Sequence, residues 1–118
     1  MRADLRGIYS SDIDDLESWR PDDPECFELA VRAFIGPESG DGEEMFDFQV
    51  CTAAWLERHP PPKGFEFLRS TILVARWDYK TLERALGDLC LHTAGDDWRE
   101  IATRLSRYGR WEFEDYRG

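Results

Sequence analysis

No stretch of these 118 residues approaches the roughly 18 consecutive apolar positions that a membrane-spanning helix needs, and none is predicted. The opening Met1-Arg2-Ala3-Asp4-Leu5 has no apolar h-region and no small-residue cleavage site, so the expected compartment is the cytoplasm. Cysteine is scarce and unpaired in pattern: Cys26, Cys51 and Cys90 are odd in number, widely spaced and without a C-x-x-C pair. Their apolar surroundings predict three buried, reduced thiols. There are only two histidines, and a zinc site would have to draw His59 and His92 together from distant segments.

The motifs of common catalysts are also missing. There is no Gly-rich phosphate loop, no G-x-S-x-G elbow and no H-E-x-x-H pair. Cys51 and His59 can be drawn as nucleophile and base, but nothing orients the imidazole. Asp12 and Asp14 form a carboxylate pair, yet the acidic ladder, central Gly and terminal Glu of an EF-hand are absent around residues 10–25. Acid–base work on a glycoside would need a carboxyl group with a raised pKa in a cleft, which an open, wet loop does not supply. The expectation is a protein with no catalytic residues, no bound metal and no cofactor.

What is present is a foldable, strongly acidic chain. Hydrophobic residues make up 42%, with five Trp, seven Phe and four Tyr, which argues against disorder. Length predicts a single domain spanning residues 1–118. The formal net charge is −10. Residues 1–50 carry 14 acidic side chains against four arginines, whereas residues 51–118 carry 11 of each sign. The whole excess lies in the N-terminal half. Like-charge repulsion disfavours direct contact with nucleic acid or an anionic membrane, and a basic partner is favoured.

Alternation and turn chemistry place the elements. Residues 2–9 read as a short strand with Ala3, Leu5 and Tyr9 on one face and Ile8 on the other. Residues 10–25 form an acidic loop in which Pro21 and Pro24 prevent regular pairing. Phe27, Leu29, Val31, Ala33 and Ile35 point one way along a strand. The run Gly36-Pro37-Glu38-Ser39-Gly40-Asp41-Gly42 turns the chain, and Phe46, Phe48 and Val50 alternate on the returning strand of a hairpin. Thr52 caps a short helix that His59-Pro60-Pro61-Pro62 must stop.

Residues 67–77 read as a central strand, because Ile72, Leu73 and Val74 are apolar on both faces. Asp78 caps a helix with Tyr79, Leu82, Leu86, Leu89 and Cys90 in one stripe, ended by Thr93-Ala94-Gly95. Asp97 and Glu100 form a capping box for a second helix with the stripe Trp98, Ile101, Ala102 and Leu105, stopped by Gly109. The last segment alternates Trp111, Phe113 and Asp115 against Glu112 and Glu114 as a short strand. The fold class is α+β, a mostly antiparallel sheet of four to five strands with the two C-terminal helices packed on one face. Trp55, Trp77, Trp98 and Phe46 are assigned to the core.

Four segments carry a family resemblance: Y-S-S-D-I-D-D-L-E at 9–17, A-F-I-G-P at 33–37, F-D-F-Q-V-C-T-A-A-W-L at 46–56 and L-S-R-Y-G-R-W-E-F-E-D-Y at 105–116. In this order they resemble the immunity protein 8 family of bacterial polymorphic toxin systems. Ala54 before Trp55, where a proline or lysine is expected, and the His59-Pro60-Pro61-Pro62 stretch depart from the family pattern. The resemblance implies an α+β fold, a toxin gene beside the gene for this chain, neutralisation of that toxin, and neither enzymatic activity nor cofactor.

Together, charge and resemblance point to binding of a cognate toxin domain with a basic active-site cleft, such as a nuclease. The expected contact residues are Asp12, Asp14, Asp15, Glu17, Asp22, Asp23, Glu38, Asp41, Glu43 and Glu44. An acidic DNA mimic or adaptor acting on a housekeeping nucleic-acid-binding protein has the same composition. Trp111 and Phe113 read either as an interface anchor around Glu112 or as core, with Glu112 paired to Arg107 or Arg110; the core reading is preferred. The protein is expected to be a monomer, with a homodimer through a terminal edge strand as the other possibility.

Overall fold

A computed structural model describes residues 1–114. Its elements in chain order are β1 (Ala3–Tyr9), β2 (Glu28–Pro37), β3 (Glu44–Cys51), α1 (Ala53–Arg58), β4 (Thr71–Leu73), α2 (Tyr79–Leu91), α3 (Trp98–Leu105) and β5 (Arg110–Trp111). The fold is α+β with one mixed sheet. The strands β1, β2 and β3 run antiparallel in that order. The far side of β3 is shared: β4 pairs parallel with Gln49–Cys51, and β5 pairs antiparallel with Phe46 and Asp47.

The β2–β3 hairpin follows the sequence pattern directly. Phe27, Leu29, Val31, Ala33, Ile35, Phe46, Phe48 and Val50 are all buried. They form one cluster with Leu82, Leu86 and Cys90 of α2 and Ile101, Ala102 and Leu105 of α3. Two caps behave as their residue types require. Thr52 Oγ1 accepts from the Trp55 N–H, and Asp97 Oδ1 accepts from the Glu100 N–H. Glu100 reaches back one residue further than a capping box demands, to the Asp96 N–H at 3.1 Å. Asp78 stands at the start of α2 but gives no side-chain cap; its carboxylate accepts from the Thr81 hydroxyl instead.

Several expectations are corrected. In β1 the register slips between Leu5 and Gly7, so Ile8 joins Ala3 inside and Tyr9 faces outward. The Arg6 side chain at this irregularity donates to the Pro37 and Gly40 carbonyls at 2.6 and 2.9 Å, tying β1 to the hairpin turn. The segment 67–77 is not a central strand. Ser70 has φ 60, which interrupts the extended run, and the Arg69 side chain is turned toward Glu114 and the Ser106 carbonyl. Only three residues then pair, at the edge of the sheet, and Leu73 is exposed.

Gly109 is not the stop of α3, which ends at Leu105. It lies where a Cβ would fall 2.4 Å from Phe48 Cζ, so only glycine lets the chain cross that ring. Trp55 is half-buried and stacks on His59 at 4.3 Å rather than joining the core, whereas Trp77 and Phe46 are core and Trp98 packs against it. Asp115, the last alternating position of the expected final strand, lies outside the described residues. No described helix is long and apolar enough to cross a membrane.

Candidate functional site

The acidic loop at residues 10–25 is pinned to the core by its own apolar side chains. Leu16 is buried, and Ile13 and Trp19 pack against the core. The Trp19 ring meets Trp77 edge-on at 4.8 Å, and Trp77 Nε1–H donates to the Trp19 carbonyl at 3.0 Å. A second main-chain bond runs from the Trp77 N–H to the Pro24 carbonyl at 2.7 Å. The carboxylates of Asp12, Asp14, Asp15, Glu17, Asp22 and Asp23 are left outside on a supported loop. Two of them also serve the loop itself. Asp15 accepts from the Ser18 hydroxyl at 2.7 Å, and Asp23 accepts from the Glu25 N–H at 2.9 Å.

Glu38, Asp41 and Glu43 are exposed at the other end of the sheet, in the hairpin turn. The loop leaves β1 at Tyr9, opposite Arg32, and enters β2 at Glu28, whereas the turn lies beyond Pro37, so roughly 15–30 Å of strand separates the two acidic groups. They are two acidic ends and not one cluster. Strand length alone carried this signal, because ten alternating residues between two acidic runs imply such a separation.

Glu44 stands apart from the other nine. Its Oε1 accepts from both Trp98 Nε1–H at 2.6 Å and Trp111 Nε1–H at 3.0 Å, so the carboxylate clamps α3 and β5 onto the start of β3. No sequence pattern announces this contact, since the three residues are far apart in the chain.

Between the acidic ends lies the outward face of β1–β2–β3. Tyr9, Ala30 and Arg32 are exposed there, and Phe34, Met45 and Asp47 are half-buried. The face holds a groove of about 650 Å³ lined by Arg6, Tyr9, Arg32, Phe34, Glu43 and Asp47. Tyr9 and Phe34 meet edge-on at 5.3 Å. Arg32 binds Asp47 through two hydrogen bonds of 2.7 and 3.2 Å. That hydrogen bonding, and then the charge of Asp47, holds the guanidinium more firmly protonated.

Residues 111–114 follow the core reading only in part. Trp111 is half-buried and stacks on Phe46 with centroids 6.3 Å apart. Phe113 is 39% exposed and edges onto Trp111, so it does not fill the core. Glu112 accepts from the Met45 N–H at 2.9 Å, closing the β3–β5 pairing where an arginine had been expected. The arginine contact belongs to Glu114, which takes two hydrogen bonds from Arg69 at 2.6 and 2.5 Å. The Arg69 hydrogen bonds hold the Glu114 carboxyl below its ordinary range.

Cys51 and Cys90 are buried, while Cys26 is only half-buried and accepts a contact from Arg58. Burial pushes the Cys51 thiol up, and it pushes that of Cys90 up to about 12, the reverse of what activates a nucleophile. His59 is exposed, with its ring on Trp55 and its Nδ1 at 2.9 Å from the Trp55 carbonyl. Among the described residues no group of three or more His, Cys, Asp and Glu could hold a metal ion.

The model of the immunity protein 8 family matches residues 3–116, nearly the whole chain, and the chain belongs to that family. No curated protein and no solved structure matches it. Family membership makes this an immunity protein directed against a toxin, and its partner a cognate toxin.

Proposed function

We propose that this member of the immunity protein 8 family neutralises its cognate toxin by binding alone, through the acidic surface at the two ends of the sheet, with no bond made or broken by its own side chains. The partner is a toxin with a basic active-site cleft, a nuclease being the class whose phosphate-binding surface fits best. The protein acts in the cytoplasm of the producing cell as one domain.

The charge distribution carries this reading. An excess of ten negative charges is confined to residues 1–50, and the loop holding six of the candidate carboxylates is fixed by Leu16 and Trp19. A preformed acidic surface steers a basic partner into encounter, with association up to roughly 10⁸–10⁹ M⁻¹s⁻¹ at low salt. A standard interface buries about 800 Å² on each partner. The groove between the ends offers Tyr9 and Phe34 as an apolar seat for one side chain of the toxin.

Association kinetics with the purified toxin domain test the proposal. The on-rate should fall at least tenfold between about 50 and 500 mM salt, as exposed charges become screened. Replacing Asp12, Asp14 and Asp22 with asparagine, or Glu38 and Glu43 with glutamine together with Asp41→Asn, should each slow association while leaving the melting temperature unchanged. An on-rate indifferent to salt and to both sets of replacements would refute the acidic mode. Rescue of growth on co-expression with the toxin separately tests neutralisation.

A further inference from the structure

Residues 65–73 turn large apolar side chains toward solvent. Phe67 is 95% exposed, Phe65 66%, Leu73 62% and Leu68 53%. Phe65 and Phe67 pack only edge to edge, with centroids 6.5 Å apart. Isolated exposed hydrophobic residues are ordinary, but four within nine residues mark a contact surface.

The same segment contains a free sheet edge. β4 pairs with β3 on one side and meets no other strand among the described residues. The Ser70 carbonyl and the Val74 N–H bond to β3. By the two-residue period of a strand, Thr71 and Leu73 therefore point their backbone N–H and C=O groups outward. Ser70 Oγ, where the chain enters β4, is buried with no hydrogen-bond partner.

We infer that this edge joins a second copy of the chain, β4 against β4, about a two-fold axis at Ile72. A two-fold operation makes the contact self-complementary and antiparallel, with Thr71 facing the partner's Leu73 and four new main-chain hydrogen bonds. The areas agree. At about 200 Å² per phenylalanine and somewhat less per leucine, the exposed fractions of the four residues amount, when fully covered, to roughly 500 Å² on each copy. Two copies then bury about 1,000 Å², the lower bound for a specific interface.

Charge selects the same occupant. Each copy carries −10 overall, but residues 51–118 are balanced, and within residues 63–76 Lys63 and Arg76 stand against Glu66 while Arg69 is paired with Glu114. The segment lies outside the acidic half, so two copies meet here with less repulsion than through residues 1–50. A basic toxin gains nothing from it.

Sedimentation of the full chain from about 1 to 200 μM provides the test. The mass should rise from 13.8 kDa toward twice that value with concentration. Phe67→Asp and Leu73→Asp, each changing an exposed side chain, should hold the mass at the lower value with an unchanged melting curve. A wild-type chain that stays monomeric throughout overturns the inference, as does a dimer that persists in both variants. Loss of toxin rescue in variants of a monomeric wild type assigns the patch to the toxin and overturns self-association equally. The growth assay is independent of sedimentation, so failure of the dimer leaves neutralisation standing.

Discussion

Removal of the Glu44 carboxylate should unfold the protein at a lower temperature, unlike removal of any acidic neighbour in the hairpin turn. In Glu44→Ala, the two indole N–H groups of Trp98 and Trp111 lose their acceptor. Hydrogen bonds to a charged acceptor contribute roughly 1.5–3 kcal/mol each when buried, and partial exposure here lowers this to about 1 kcal/mol apiece. A loss of about 2 kcal/mol in a chain of this size lowers the melting temperature by roughly 8 °C. Glu43→Ala, one residue away and exposed, should stay within about 0.5 kcal/mol of the parent. Thermal unfolding followed by circular dichroism measures both, and Glu44→Gln, which keeps an acceptor oxygen, should recover part of the loss. If Glu44→Ala and Glu43→Ala melt together, the carboxylate does not clamp α3 and β5, and Glu44 returns to the set of contact candidates.

The remaining predictions concern packing and pH. Gly109→Ala places a methyl group 2.4 Å from the Phe48 ring, and the displacement should cost about 1–3 kcal/mol, read as a lower urea midpoint with an unchanged slope. Trp111→Ala removes the half-buried ring stacked on Phe46 and should cost about 2 kcal/mol; unchanged melting with lost toxin binding would reverse that assignment. The depressed carboxyl of Glu114 gives stability that is present above the ordinary glutamate range near pH 4.3 and is lost as pH falls through its lower folded value. Glu114→Gln should therefore lower stability at neutral pH and flatten this part of the acid limb, and an unchanged profile would remove Arg69–Glu114 from the account.

The hairpin could be read from residues alone because its signal is local. Alternation from Phe27 to Ile35 and from Phe46 to Val50 decides which face is buried, and the glycines and proline between them decide where the chain turns. Thr52 and Asp97 were legible for the same reason, since a cap is completed within three residues. Residues 67–77 differ because an apolar run looks identical whether both faces are covered or one is open to solvent. Nothing in Ile72-Leu73-Val74 distinguishes a central strand from an exposed edge. The outward Tyr9 depends on a register slip, and Glu44 depends on two tryptophans more than 50 residues away. Both are settled only by tertiary packing. Trp19 gives no core signal in the sequence because it sits in an acidic loop, yet its contact with Trp77 is what makes that loop a fixed surface.

That anchoring bears on how an acidic surface can be kept and changed. Seven carboxylates within residues 12–25 repel one another, and a loop without apolar anchors would spread to relieve the repulsion. Leu16, buried in the core, and Trp19, packed edge-on against Phe27 and Trp77, oppose this. Charge and anchor alternate within one short segment, so Asp12, Asp14, Glu17 or Asp22 can be replaced without touching the residues that hold the loop, whereas Asp15 and Asp23 also hydrogen-bond within it. The hairpin turn is fixed differently, by the Arg6 side chain on the Pro37 and Gly40 carbonyls. The two ends lie roughly 15–30 Å apart, about two to four times the Debye length of about 8 Å at physiological salt, so the field at one end is largely screened from changes at the other. On the proposed reading, recognition of a different toxin can be rebuilt at either end while the sheet between them, and the core beneath it, stay as they are.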